Sequence, residues 1–119
     1  MKSVILGLFL IVMAGSGKVE AHAFLERADP AVGSAVQPSP SEVRVLFTEK
    51  IEPALSIVQV FDASGKEVDK RDVHLDRSNH ALLHVSLPPL EVGNYKVVWR
   101  VVSVDTHVTN GSFNFRVVR

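Results

Sequence analysis

Beyond residue 21 no stretch of this chain keeps a helical repeat of apolar residues. What recurs is two-residue alternation, cut at short intervals by turn-forming residues. Val43, Val45 and Phe47 alternate with Glu42, Arg44 and Leu46. Ser56–Asp62 is a second apolar run, closed by Ala63-Ser64-Gly65. Leu83, Val85 and Leu87 alternate with His84 and Ser86 and stop at Pro88-Pro89. Gly93-Asn94 introduces Tyr95–Val104, the longest candidate strand, in which Val97, Trp99 and Val101 read as core. Asn110-Gly111 reads as a hairpin turn leading into Phe113, Phe115 and Val117, and His22–Ala28 as an edge strand with Phe24 packed inward. Short strands at this spacing predict an all-β fold, a Greek-key sandwich or barrel of cupredoxin- or immunoglobulin-like type with about seven strands. The chain has no cysteine, so no disulfide can reinforce it and the core alone must hold it.

The first 21 residues read differently. Lys2 precedes an unbroken apolar run, Val4–Gly15, which is too short to span a bilayer as a helix. A polar stretch and Ala21 follow, which is the layout of a secretory signal peptide over residues 1–21. Cleavage between Ala21 and His22 puts Val19 and Ala21 at the small-residue positions; cuts after Ala14 or Ala23 compete with it. The remaining domain, residues 22–119, has 11 basic and 12 acidic residues. That balance offers no electrostatic grip on nucleic acid or an anionic membrane. Both methionines, Met1 and Met13, fall in the leader, so the mature chain has no sulfur ligand of any kind.

Five histidines remain: His22, His74, His80, His84 and His107. A histidine exposed at a new N-terminus can chelate a metal through its α-amino nitrogen and its own ring without help from any other residue. Both groups give up protons readily to a competing metal. Asp105 and His107 stand two apart where the longest strand runs out, and on an extended chain such residues point the same way. An amine, two imidazoles and a carboxylate suit Cu(II), with zinc or nickel as weaker occupants. A D-x-H pair at a strand end is also compatible with an ordinary turn and a surface histidine. His80 and His84 share parity, which raises a second site including His74; histidines near Asp72 and Asp76 are equally explained as surface residues.

Several stretches resemble the CopC family of small exported copper-binding proteins. They are His22-Ala23, Asp29-Pro30-Ala31-Val32-Gly33-Ser34, Val45-Leu46-Phe47-Thr48-Glu49 and Pro88-Pro89-Leu90. The most specific is the run from Gly93 through Tyr95, Val97, Trp99-Arg100, Ser103 and Asp105 to His107, followed by Gly111 and Phe113-Asn114-Phe115. The resemblance implies a Greek-key β-sandwich that binds one Cu(II) in a histidine brace. It assigns the ligands to His22, Asp105 and His107, with Glu49 near the metal, and favours cleavage at Ala21–His22. The lack of methionine after Met13 resembles the subtype that binds Cu(II) only. Val108 departs from the proline common after the ligand histidine.

The function this implies is a monomeric periplasmic carrier or buffer in copper homeostasis or resistance, with an inner-membrane CopD-like copper transporter as partner. A copper-dependent oxidative enzyme is a weaker alternative, because Tyr95 and Trp99 sit on a core strand and leave no aromatic surface for a substrate. A metal-free sandwich used for protein contacts is the third reading.

Overall fold

The structure, a computed structural model, describes residues 23–119. The leader, its cleavage and His22 lie outside the described residues. Eight strands are described: β1 (Leu25–Asp29), β2 (Ala35–Val36), β3 (Glu42–Phe47), β4 (Ile57–Asp62), β5 (His74–Leu75), β6 (Leu82–Ser86), β7 (Gly93–Val102) and β8 (Val108–Val117). They form two four-stranded sheets, β1-β3-β6-β5 and β2-β8-β7-β4, and the chain passes repeatedly from one to the other, as in a Greek-key sandwich. A 3-10 turn, Pro53–Leu55, leads into β4.

Alternation decides which face of each strand is buried. Val43, Val45 and Phe47 point inward from β3, and Leu83 and Val85 do so from β6. They meet Val58 and Val60 of β4, Tyr95, Val97, Trp99 and Val101 of β7, and Phe113, Phe115 and Val117 of β8. Burying each large apolar side chain contributes about 1.5–3 kcal/mol, enough for the set to hold the sheets together without covalent links. Phe47 and Trp99 join the sheets edge to face, with ring centroids 5.1 Å apart and planes at 72°. Tyr95 and Phe115 stack within the second sheet at 5.5 Å.

Three local expectations are corrected. Phe24 is 47% exposed, whereas its neighbour Ala23 is fully buried. Leu25 pairs with inward-facing Phe47, and alternation about it puts Ala23 inward and Phe24 outward; the register then slips at a bulge before Arg27. Asn110 and Gly111 are not a turn but lie within β8, Gly111 opposite Trp99. A Cβ on Gly111 would sit 2.6 Å from Trp99 Cζ2, so the glycine makes room for the indole rather than for a bend. The hairpin therefore turns earlier than Asn110, in the segment holding Asp105 and His107. That segment follows the last residue of β7 instead of prolonging the strand to Val104.

Candidate metal centre

Strands β7 and β8 form one long hairpin, closed by the Val102–Val108 pair. Ser103 to His107 make its tip. Ser103 N–H donates to the His107 carbonyl at 2.9 Å, and Thr106 N–H donates to the Ser103 carbonyl at 2.8 Å. Thr106 takes a left-handed φ of 74°, which bends the chain back. Asp105 and His107 are thus brought together by a turn, not by strand alternation. Asp105 Oδ1 lies 3.3 Å from His107 Nδ1, and each side chain is about half exposed, at 46% and 45%. The Ser103 hydroxyl, and to a lesser degree the His107 hydrogen bond and charge, hold the Asp105 carboxyl below its ordinary value of 3.8. The pair therefore sets an ionised carboxylate beside an imidazole at the end of the sandwich.

The loop after β3 fastens this tip. Ile51 bridges Ser103, and Val104 N–H donates to the Lys50 carbonyl at 3.0 Å. Ser56, itself buried, donates to the Glu52 carbonyl at 2.8 Å and accepts Val102 N–H at 3.0 Å. Glu49, half-buried, belongs to the same loop. Next to it, Thr48 is hydrogen-bonded twice to Phe24: Phe24 N–H donates to Thr48 Oγ1, and Thr48 N–H to the Phe24 carbonyl, both at 2.9 Å. Thr109 Oγ1 donates to the Ala23 carbonyl at 2.6 Å. Ala23 and Phe24 are held against the two segments that carry Glu49 and His107.

Among the described residues, no three histidine, aspartate or glutamate side chains converge well enough to hold a metal. Asp105 and His107 supply two donors, and Glu49 is not drawn into a three-donor group with them. The donors that this pair presents are oxygen and nitrogen, hard to borderline in character.

The remaining histidines do not make a second site. His84 Nδ1 is 3.0 Å from Glu42 Oε1, and Nε2 is 2.9 Å from Asp76 Oδ1, so both ring nitrogens are engaged. His74 lies opposite His84 across the β5–β6 ladder and stacks on it at 5.3 Å, nearly parallel. Stacked rings present their faces to each other, whereas a metal needs the in-plane nitrogens of both. His80, the partner suggested by parity, is exposed, and its carbonyl accepts Ile51 N–H at 2.9 Å. Ser103 and Thr109 escaped the reading of the sequence as contributors to the site. Ser103 stood in the S-x-D-x-H run, while nothing in the sequence singled out Thr109.

A two-sheet sandwich with a carboxylate and an imidazole presented at the tip of its longest hairpin defines a small β-protein with a donor site at one end. Residues 25–118 match the CopC domain, and the chain belongs to the CopC family. That is a family of copper-binding and copper-resistance proteins, not of enzymes. The chain is 31% identical over 116 residues to copper resistance protein C of Xanthomonas campestris pv. juglandis, covering 90% of this chain and 91% of that protein. The fold is similar to the crystal structure of CopC from Methylosinus trichosporium OB3b, with a TM-score of 0.76 and 34% identity over 81% of this chain and 93% of that one. It is also similar to PcoC, a methionine-rich copper resistance protein from Escherichia coli, with a TM-score of 0.73 and 28% identity over 82% of this chain and 99% of that one. Among the described residues no helix is long and apolar enough to cross a membrane.

Proposed function

We propose that this chain is an exported copper carrier or buffer that holds one Cu(II) ion. Its ligands are Asp105, His107 and the amine and ring of His22, made available by cleavage after Ala21. The observation that carries the reading is the tethering of Ala23. Its carbonyl is bonded to Thr109, two residues from His107. Consecutive Cα atoms lie about 3.8 Å apart, so a residue joined to Ala23 begins one short step from that anchor. The described donors need a partner from outside residues 23–119, and an N-terminal histidine brings two nitrogens at once.

Three further points support copper in its oxidised form. The described donors are oxygen and nitrogen only. No methionine follows Met13, in contrast to the relative named methionine-rich. The Asp105 carboxyl, held below its ordinary value mainly by the Ser103 hydroxyl, offers an anionic oxygen, which suits a hard cation. Glu49, on the loop whose Lys50 carbonyl accepts Val104 N–H, is the proposed outer partner. The compartment proposed is the periplasm, the form a monomer, and the receiving partner an inner-membrane copper transporter.

The test uses protein produced to begin at His22, beside a form with one extra residue ahead of it. Calorimetric titration should give one equivalent of Cu(II) for the first form and a loss of affinity on the order of 100-fold or more for the second, since blocking the amine removes a direct ligand. Equal affinities would eliminate the N-terminal chelate.

A further inference from the structure

We infer that Ser103 is a positioning residue for the metal, one whose buried hydroxyl selects the oxygen of Asp105 that meets the ion. The inference rests on the assignment of Asp105 and His107 as donors made above. Ser103 is fully buried, although it borders two half-exposed side chains. Its main chain is fixed from both sides, by the bridge to Ile51 and by the bond from its N–H to the His107 carbonyl. The hydroxyl therefore has a defined origin, unlike that of a surface serine.

A hydroxyl has one proton to give. Here it goes to Asp105 Oδ1 in a short contact. The lone pairs remain to accept His107 N–H, at 3.3 Å. A separate approach to the His107 carbonyl, at 3.4 Å, needs the same proton and is not made at the same time. One oxygen atom thus touches the side chain of the first donor residue and the main chain of the second. It fixes their separation.

The carboxylate is then asymmetric. Oδ1 faces both the Ser103 hydroxyl and His107 Nδ1, so its two oxygens stand in different surroundings. An ion at the tip would meet the oxygen that the hydroxyl does not hold, and Asp105 would bind it through that oxygen alone. An exposed aspartate on a turn would otherwise sample several rotamers and would have to lose that freedom on binding. The hydroxyl removes the freedom beforehand, which is how an outer partner raises affinity without touching the metal.

The experiment compares Cu(II) affinity and the electron paramagnetic resonance spectrum of wild type, S103A, S103T, D105N and H107A, all beginning at His22, with metal-free melting measured alongside. S103A should bind Cu(II) 10- to 100-fold more weakly and show an altered copper hyperfine pattern; S103T, which keeps the hydroxyl, should restore both. A merely structural serine would lower the metal-free melting temperature and leave the copper spectrum of the folded protein as it was, and that result overturns the inference. If D105N and H107A weaken binding while folded S103A does not, the positioning role alone fails. If D105N also binds normally, the donor assignment fails and takes the positioning role with it. A second measurement avoids variants altogether. The copper-minus-metal-free infrared difference spectrum of protein with 13C-labelled aspartate should show the wide carboxylate splitting of single-oxygen binding; a narrow, two-oxygen splitting overturns the inference even where S103A does not fold.

Discussion

On the outer face of the first sheet, His84 has a carboxylate on each ring nitrogen and a second imidazole stacked over it. At the tip of the β7–β8 hairpin, His107 approaches the Asp105 carboxylate, and both side chains stand about half in solvent. The two places use the same residue types and differ in exposure. Both ring nitrogens lie within hydrogen-bond distance of a carboxylate, Glu42 on one side and Asp76 on the other, so that cluster ties β3, β6 and the loop after β5 to one another. At the tip, the buried donor is a serine hydroxyl, and the carboxylate it holds and the imidazole beside it both stand about half in solvent. Clustered histidine and aspartate are therefore a poor guide to metal binding by themselves. On the reading proposed above, exposure at a fixed turn is what separates a site from a strut.

The contrast can be broken by substitution. The largest effect should come from His107→Ala, which removes a proposed ligand. Cu(II) affinity should fall by more than the 10- to 100-fold typical of an outer partner, while urea unfolding of the metal-free protein changes by less than about 0.5 kcal/mol, because the side chain is half exposed. His84→Ala should do the reverse. It leaves two carboxylates without their shared donor and should cost about 1–2 kcal/mol in urea unfolding, toward the lower figure because Glu42 is itself more than a third exposed, with copper stoichiometry and affinity unchanged. A His84 variant that lost copper would erase the distinction.

The smallest effect is one of pH. The Ser78 hydroxyl and then His84 lower the Asp76 carboxyl from 3.8 to about 2. A carboxyl lowered in the folded state stabilises it above its unfolded value and stops doing so as acid protonates it. The contribution of Asp76 is thus complete above about pH 4 and fades between there and pH 2. Melting curves of Asp76→Asn and wild type should converge across that window. Curves that stayed parallel would mean that the bond is not maintained in solution.

How far the sequence disclosed all this varies by element. The long alternating strands were readable because burial of one face writes itself into every second residue, as in Val43-Val45-Phe47 and Tyr95-Val97-Trp99-Val101. The two-residue strands β2 and β5 were not, since two residues carry no period. Asn110-Gly111 misled because a glycine emptied for a neighbouring indole looks the same as one placed for a turn; only the pairing with Trp99 separates them. The spacing of Asp105 and His107 anticipates that their side chains come together, but a left-handed residue between them, not a pleat, is what turns them together. His74 and His84 face each other because of cross-strand register, and local parity had suggested His80 instead. The Ser103 contacts depend on burial created by the loop after β3, which no local pattern encodes.

Trp99 is the chain's only tryptophan. It lies on the same hairpin as the donor tip, three rungs below the closing pair, with its indole N–H buried and without a hydrogen-bond partner among the described residues. Its emission therefore comes from one dry, rigid position, with no second fluorophore of its kind to dilute the signal. A paramagnetic ion loaded at the proposed site would dim it, and departure of the ion would brighten it. The indole would thus serve as an intrinsic gauge of loading, readable in a stopped-flow cell without dyes or labels.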